Sequence, residues 1–220
     1  MTAAGDLDPP APPTYLERVR AALDWYATTG HVDPDPTTGT GAIRLLEAKL
    51  SAHFGVAGCF VISSATSAIL DALQAAGGGP GDDGVIPADD WGASRAAVAA
   101  LGARAAAVPT SADRRVVHVD SVLERLTEST RAVVVTHYGD ERGPARELTE
   151  HLPPSVSVIE DAAAVTLSAF RRASMGNVGR FGCLSFGPGK ALDAGGGGAV
   201  LVRDREDLGS AIELSQHPAR

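Results

Sequence analysis

Two residues of this chain have the types and the surroundings that carbonyl chemistry needs. Lys190 ends the glycine-rich segment 184–190 and precedes the glycine run 195–198, while Asp161 follows the apolar run 156–159. A lysine amine can bind the aldehyde of pyridoxal phosphate as a Schiff base, and a carboxylate can keep the pyridine nitrogen protonated. Without a ligand, Asp161 would be a turn or helix cap and Lys190 a surface lysine. The flanking glycines and the apolar strand favour a pyridoxal phosphate site, with Lys190 and Asp161 as its catalytic residues.

Three further segments could complete the same site. Ser64, Ala65 and Thr66 lead from an apolar strand into a predicted helix, where free backbone N–H groups and hydroxyls suit a phosphate. Taken alone, that segment is better explained by ordinary helix capping. Trp91 follows another strand and could stack on a flat cofactor ring, although a single Trp is more often a core residue. The hydroxyl of Ser185 could reach the same phosphate.

Composition disfavours several other classes of protein. The net charge of -8, without a cluster of Lys or Arg, argues against nucleic acid as a partner. The glycine runs 77–81 and 195–198 fit neither a dinucleotide fingerprint nor a P-loop, and no histidine lies near a nucleophile elbow. Cys59 and Cys183 lie in apolar runs, which predicts buried thiols rather than a disulfide or metal ligands. Without a leader or a membrane-length apolar run, we expect a cytoplasmic protein with no membrane partner.

Apolar runs alternate with helical patterns along most of the chain. The strand candidates are 59–63, 85–87, 105–108, 132–136, 156–160, 182–186 and 198–202, and the helix candidates are 66–76, 92–101, 120–128, 143–151 and 205–215. Continuous apolar strands separated by helices predict an α/β fold, a three-layer αβα arrangement around a mainly parallel seven-stranded sheet. Ligands bind beyond the carboxyl ends of strands in such sheets, where the candidate residues fall.

The N-terminal region has its own signals. Residues 1–13 are rich in Pro, Ala and Asp and are predicted to be disordered. Thr14 and Glu17 form a capping box, and apolar residues follow it at helical spacing: Leu16, Val19, Leu23 and Tyr26. Residues 33–41 are predicted to form a loop before a second helix over about 43–54.

In their order and spacing, these segments resemble the DegT/DnrJ/EryC1/StrS family of sugar aminotransferases, which have the fold-type I architecture of pyridoxal phosphate enzymes. The likeness covers roughly residues 15–216. None of the motifs that carry the likeness is specific alone. In chain order, these motifs are residues 39–55, Ser63-Ser64-Ala65-Thr66, residues 79–82, residues 85–87, Trp91, residues 101–103, Tyr138-Gly139, residues 159–163, residues 184–186, Pro188, Lys190 and residues 195–198.

The resemblance implies roles for individual positions. Lys190 would be the Schiff-base lysine and the proton-transferring base, and Asp161 the partner of the pyridinium. Trp91 would stack on the ring. Ala65, Thr66 and Ser185 would bind the phosphate. The implied activity is amino transfer to a sugar, aminocyclitol or amino acid in bacterial biosynthesis.

The chain also departs from the family pattern. Ala65 replaces the glycine of Ser-Gly-Thr, and Ala164 replaces a common glutamine. Thr136 takes the place of a histidine, with His137 one position later, and Gly196 replaces the acid of Gly-Glu-Gly-Gly.

Family members continue into a small C-terminal domain, whereas this chain stops at Arg220. We therefore expect residues 14–220 to form a pyridoxal-phosphate-binding large domain. The resemblance implies a homodimer, or a heteromer whose partner supplies the missing lobe. Two alternatives stay open: another pyridoxal phosphate reaction, such as elimination, decarboxylation or cyclisation, and a non-catalytic partner subunit.

Overall fold

A single mixed sheet organises the part of the chain that the structure, a computed structural model, describes, namely residues 13–29 and 41–215. The predicted tail 1–13 and loop 33–41 lie outside these residues, apart from Pro13 and Gly41. The strands are β1 (Gly58–Ile62), β2 (Asp83–Pro87), β3 (Arg104–Val108), β4 (Thr130–Gly139), β5 (Ser157–Val165), β6 (Phe181–Ser185) and β7 (Gly198–Val202).

The sheet has the order β1-β7-β6-β5-β4-β2-β3. Strand β7 runs antiparallel to both of its neighbours, β1 and β6, and every other pair of neighbours is parallel. The prediction of a mainly parallel seven-stranded sheet is confirmed.

Helices cover both faces of this sheet. They are α1 (Tyr15–Thr29), α2 (Gly41–Phe54), α3 (Ala65–Ala75), α4 (Ala93–Ala100), α5 (Val119–Leu123), α6 (Ala145–His151), α7 (Leu167–Arg171) and α8 (Leu208–Ser215). Side chains of α3, α4 and α8 share one buried cluster with Val134 and Ile159 of the sheet. Side chains of α2, α5, α6 and α7 pack in two further clusters with other sheet residues. The three-layer arrangement is therefore confirmed.

The helix that begins the described chain has the predicted start but not a buried apolar stripe. The Thr14 N–H and hydroxyl donate to Glu17 Oε2 at 2.7 and 2.8 Å, and the Glu17 N–H donates back to Thr14 Oγ1 at 3.3 Å, which is a capping box. Leu16 and Leu23 are nevertheless 69% and 62% exposed. Helix α1 thus presents apolar side chains to its surroundings.

Strands β4 and β5 set the geometry of the candidate site. Both extend past the predicted ends, so Asp161 lies within β5 rather than at its end. Thr136 of β4 pairs with Asp161 of β5, and a register shift follows between Thr136 and Tyr138. On the other side, Asp161 pairs with Cys183 of β6, so Ser185 follows two residues later on the same face.

Candidate cofactor site

Asp161 is a buried carboxylate without a cationic partner in contact. Its side chain is 5% exposed, and Oδ1 accepts a hydrogen bond from the Ala163 N–H at 2.9 Å. Within residues 13–29 and 41–215, this is its one hydrogen bond, and no ion pair reaches it. Burial raises the pKa of Asp161, with a smaller contribution from the like charge of Asp90, while the Ala163 N–H and the charge of Lys190 oppose the rise. A carboxylate in this position has unused capacity for a cationic N–H donor.

Lys190 lies on the irregular loop 186–197, which joins β6 to β7. Its charge acts to lower the pKa of the Asp161 carboxyl, but among the described residues no hydrogen bond or ion pair joins the two side chains. The loop closes on itself through backbone hydrogen bonds from the Lys190 N–H to the Gly187 carbonyl at 3.2 Å and from the Gly196 N–H to the Phe186 carbonyl at 3.1 Å. The Ser185 hydroxyl accepts a long hydrogen bond from the Gly187 N–H at 3.4 Å.

The start of α3 is consistent with both helix capping and phosphate binding, the two interpretations of segment 64–66. Ser64 is the N-cap, and its hydroxyl accepts from the Ser67 N–H at 3.1 Å. The first N–H groups of a helix nonetheless have no partner within the helix. Thr66 in this first turn is exposed, and its hydroxyl makes no hydrogen bond with the part of the chain that the structure describes. Capping by Ser64 therefore leaves Thr66 available to a ligand.

The glycine run is explained in part by contact with this helix start rather than with a ligand. A Cβ on Gly198 would lie 2.5 Å from the Ser64 carbonyl carbon and 2.6 Å from the Ala65 nitrogen. Gly195 and Gly197 have φ values of 82° and 99°, which other residues rarely adopt. Glycines here let β7 begin directly against the N-terminus of α3.

Trp91 lies beyond the carboxyl end of β2, between Asp90 and the α4 N-cap Gly92. Its side chain is 95% exposed, so it is not the core residue that a single Trp most often is. The Asp90 carboxylate accepts from the Ser94 N–H at 2.8 Å and so fixes the turn into α4. Among the described residues, no hydrogen bond or ion pair joins Trp91 to Asp161 or Lys190.

A charged cluster lies at the carboxyl ends of β2 and β4. Arg115, whose φ is 59°, donates two hydrogen bonds to Asp89 at 3.0 and 3.2 Å, and its guanidinium lies 4.8 Å from the centre of the Tyr138 ring. The Tyr138 hydroxyl donates to the Asp89 carbonyl at 3.0 Å. The sequence analysis did not identify this cluster, because no local pattern connects the loop after β3 to the ends of β2 and β4.

A second buried carboxylate, Glu160, lies on the opposite side of β5 from Asp161. It accepts hydrogen bonds from the N–H groups of Gly176, Val178 and Gly179 at 2.6–3.1 Å and from His137 Nε2 at 2.8 Å. Burial acts to raise its pKa, but His137 and the backbone donors outweigh burial and lower it. Glu160 is thus a satisfied structural anion, unlike its neighbour Asp161.

His137 acts as a connector in this network. The Gly143 N–H donates to His137 Nδ1 at 3.0 Å, so in this geometry Nδ1 carries no proton and Nε2 donates its proton to Glu160. The preceding Thr136 is 4% exposed, and its hydroxyl has no partner among the described residues. Neither Glu160 nor His137 was predicted, because isolated charged residues in a sequence indicate a surface.

The comparisons with known proteins agree with this fold. The model of the DegT/DnrJ/EryC1/StrS aminotransferase family matches residues 27–220. L-glutamine:2-deoxy-scyllo-inosose aminotransferase of Streptomyces fradiae is 32% identical over 183 residues, which cover 81% of this chain and 42% of that protein. dTDP-4-dehydro-2,3,6-trideoxy-D-glucose 4-aminotransferase of Saccharopolyspora spinosa is 31% identical over 79% of this chain and 46% of its own length. The chain thus spans less than half the length of these relatives.

Solved structures give the same result. The crystal structure of 3-amino-5-hydroxybenzoic acid synthase superposes with a TM-score of 0.75 at 25% identity and covers 92% of this chain and 53% of that chain. DesV of S. venezuelae superposes with a TM-score of 0.74 at 28% identity, covering 89% and 53%. Among the helices of the described residues, none is long and apolar enough to cross a membrane. By its sequence match and its fold, this chain belongs to the DegT/DnrJ/EryC1/StrS aminotransferase family.

Proposed function

We propose that this chain binds pyridoxal phosphate and provides the catalytic lysine of an aminotransferase that acts on a carbonyl-bearing sugar or aminocyclitol. The observation that carries the proposal is Asp161, a buried carboxylate with one hydrogen bond and no cation in contact. The substrate class comes from the relatives, whose names specify an inosose and a dehydro-sugar. An amino acid substrate is the less favoured possibility.

The residues present fit this cofactor. Pyridoxal phosphate supplies an aldehyde for covalent attachment and a ring that withdraws electrons from the reacting carbon. Asp161 would hold the proton on the ring nitrogen, since a buried anion stabilises a cationic N–H. The Lys190 amine would provide the attachment point and, when free, would carry a proton between the nitrogen-bearing substrate carbon and the cofactor.

Other residues would bind and cover the cofactor. The first N–H groups of α3 and the hydroxyls of Thr66 and Ser185 would bind the phosphate, with Ser64 and Ala65 shaping the turn that presents them. The exposed ring of Trp91 has a free face for stacking.

The same observations bear on domain organisation, partners and location. We propose that residues 14–220 form the cofactor-binding domain and that the chain works as a homodimer, with a heteromer as second choice. Because Cys59 and Cys183 are buried free thiols, a cytoplasmic location is the natural one. Neither nucleic acid nor membrane is proposed as a partner.

The attachment residue can be tested directly, because Lys49 is the other lysine of the chain. The protein is incubated with pyridoxal phosphate, reduced with borohydride and digested, and the modified peptide is identified by mass spectrometry. We expect the pyridoxyl group on Lys190, its loss in Lys190→Ala, and its retention in the control Lys49→Arg, since Lys49 is exposed on α2. Modification of Lys49 alone would show that the assignment is wrong.

A second measurement separates amino transfer from the alternatives. If the chain is an aminotransferase, glutamine or glutamate should convert the bound cofactor to pyridoxamine phosphate. Cofactor attached to Lys190 without this conversion would favour elimination, decarboxylation or cyclisation. No cofactor uptake would favour a non-catalytic subunit.

A further inference from the structure

Lys190 lies on a loop that would have great conformational freedom if the backbone alone held it. The loop 186–197 contains Gly187, Gly189, Gly195, Gly196 and Gly197, and much of it is exposed. Glycine loses more conformational entropy on ordering than other residues do. A lysine that must meet one carbon atom repeatedly needs a loop with one geometry. Something other than chain stiffness must supply that geometry.

Asp193 provides the required contacts. Its Oδ2 accepts from the Gly189 N–H at 3.0 Å and its Oδ1 accepts from the Gly195 N–H at 2.9 Å. One carboxylate thus bridges the residue before Lys190 and the far end of the loop. Both bonded glycines adopt left-handed backbone conformations, with φ values of 75° and 82°. Asp193 therefore holds two of the three loop glycines that have positive φ values.

The anion is itself held from outside the loop. Arg18 Nη2 of α1 lies 3.5 Å from Asp193 Oδ1, and both side chains are about one-third exposed, at 34% and 29%. The N–H groups of Gly189 and Gly195, together with the charge of Arg18, lower the pKa of Asp193. The bridge is therefore anionic at neutral pH, and its second attachment is the helix that begins the described chain.

We propose that Asp193 is the positioning residue of Lys190: its carboxylate bridges the two ends of the lysine turn, and Arg18 anchors that bridge to α1. This inference rests on the proposed function of Lys190. It assigns a role to an acid at a position where the family resemblance assigns none. It also gives α1 a connection to the site that does not depend on its apolar side chains.

The test uses the full chain with three variants. Asp193→Ala removes both acceptors, and Asp193→Asn keeps one acceptor oxygen and so can protect one of the two amides. The control Asp204→Ala removes an acid that pairs with Arg203 after β7 and makes no contact with the lysine loop. Amide hydrogen exchange of the unloaded proteins is measured for peptides covering 186–197 and, as internal reference, β5.

We expect Asp193→Ala to accelerate exchange at Gly189 and Gly195 by roughly tenfold or more, since each amide loses a hydrogen bond to a charged acceptor. Asp193→Asn should give an intermediate result and keep the test valid if the alanine variant fails to fold. The β5 peptide and the Asp204→Ala protein should match the original chain.

The second readout is the visible absorbance of pyridoxal phosphate linked to Lys190, titrated with the cofactor. Asp193→Ala should raise the apparent Kd by about tenfold while the thermal midpoint of the unloaded protein stays near that of Asp204→Ala. Unchanged exchange in the loop, or unchanged affinity despite faster exchange, would overturn the positioning role. If the original chain itself does not link the cofactor, the proposed function is wrong. That outcome is distinct from failure of the positioning role, because it is seen without any variant.

Discussion

At the level of single residues, the two adjacent carboxylates of β5 have different roles because their hydrogen-bond partners differ. Glu160 receives four hydrogen bonds and is a structural anion of the scaffold. Asp161, on the other side of the strand, receives one and keeps a raised pKa. An anion with so few partners costs folding free energy, and such a cost is expected where a ligand provides the missing partner.

Replacing Asp161 by Asn should therefore separate activity from stability. The amide keeps the shape and loses the charge, so pyridoxal phosphate should still bind while turnover falls by about 100-fold or more. Because burial raises the folded-state pKa, ionisation destabilises the fold as pH rises from the ordinary carboxyl pKa to the raised one. Asp161→Asn should then have the higher thermal midpoint at neutral pH and lose that advantage in acid.

Steady-state kinetics and thermal unfolding of the unloaded protein check both parts, with Asp204→Asn as the control. Full turnover in Asp161→Asn would contradict the assignment of Asp161 to the pyridine nitrogen.

Single residues also mark where sequence reasoning stopped. Lys190 and Asp161 could be proposed as site residues because each has an unusual local sequence, glycines around Lys190 and an apolar strand before Asp161. Glu160 and His137 are partners that lie 23 positions apart, and Asp193 pairs with Arg18 on helix α1. Their roles depend on which segments become neighbours in the fold, and that information is not contained in a local pattern.

At the scale of elements, most strands and helices were predicted because apolar runs between glycine and polar segments define them. Strand β7 lies at 198–202 as predicted. The missed helix α7 has five residues, too few for a helical pattern, although Thr166 caps it. The helix predicted over 120–128 ends at Leu123, and α6 begins at Ala145 after the N-cap Pro144. Boundaries of this kind are set by caps and turns rather than by hydrophobic period.

The contact between β7 and α3 gives a prediction at this scale. A methyl group on Gly198 would meet backbone atoms of Ser64, Ala65 and Leu184 at 2.5–2.7 Å. Gly198→Ala should destabilise the protein by about 2 kcal/mol and displace the start of α3. Gly209→Ala on α8 is the matched control, because a Cβ added there would have no neighbouring atom within 4 Å. Alanine at this helical position should raise the free energy of unfolding by up to about 1 kcal/mol.

Chemical denaturation of both glycine variants measures these changes, and cofactor titration reports on the helix start. Equal stability of the two variants would show that β7 and the start of α3 pack less closely at Gly198 than in the structure.

At the scale of the whole molecule, apolar side chains remain on the surface of the described chain. Leu16, Leu23 and Trp25 of α1 are 40–69% exposed. Association with a second copy would remove them from water. We expect a dimer by light scattering, and we expect Leu16→Gln with Leu23→Gln to weaken it at least tenfold.

The control is Leu167→Gln, which changes a 42% exposed leucine on α7. A monomer that binds cofactor and turns over substrate alone would contradict both the homodimer and the heteromer. Activity that appears only when a second protein is added would select the heteromer.

The position of β7 has a consequence for the order in which the molecule can assemble during synthesis. In the described sheet, the edge strand β1 has β7 as its neighbour, and roughly 140 residues separate them along the chain. Until β7 leaves the ribosome, β1 has no strand to pair with, and the flank of β6 also stays open. Unpaired edges of β1 and β6 then coexist in the nascent chain, which is the condition that favours intermolecular pairing. Slow synthesis just before residue 198 would prolong that interval. The late antiparallel strand β7 therefore determines when the sheet is complete and how long its unpaired edges can aggregate.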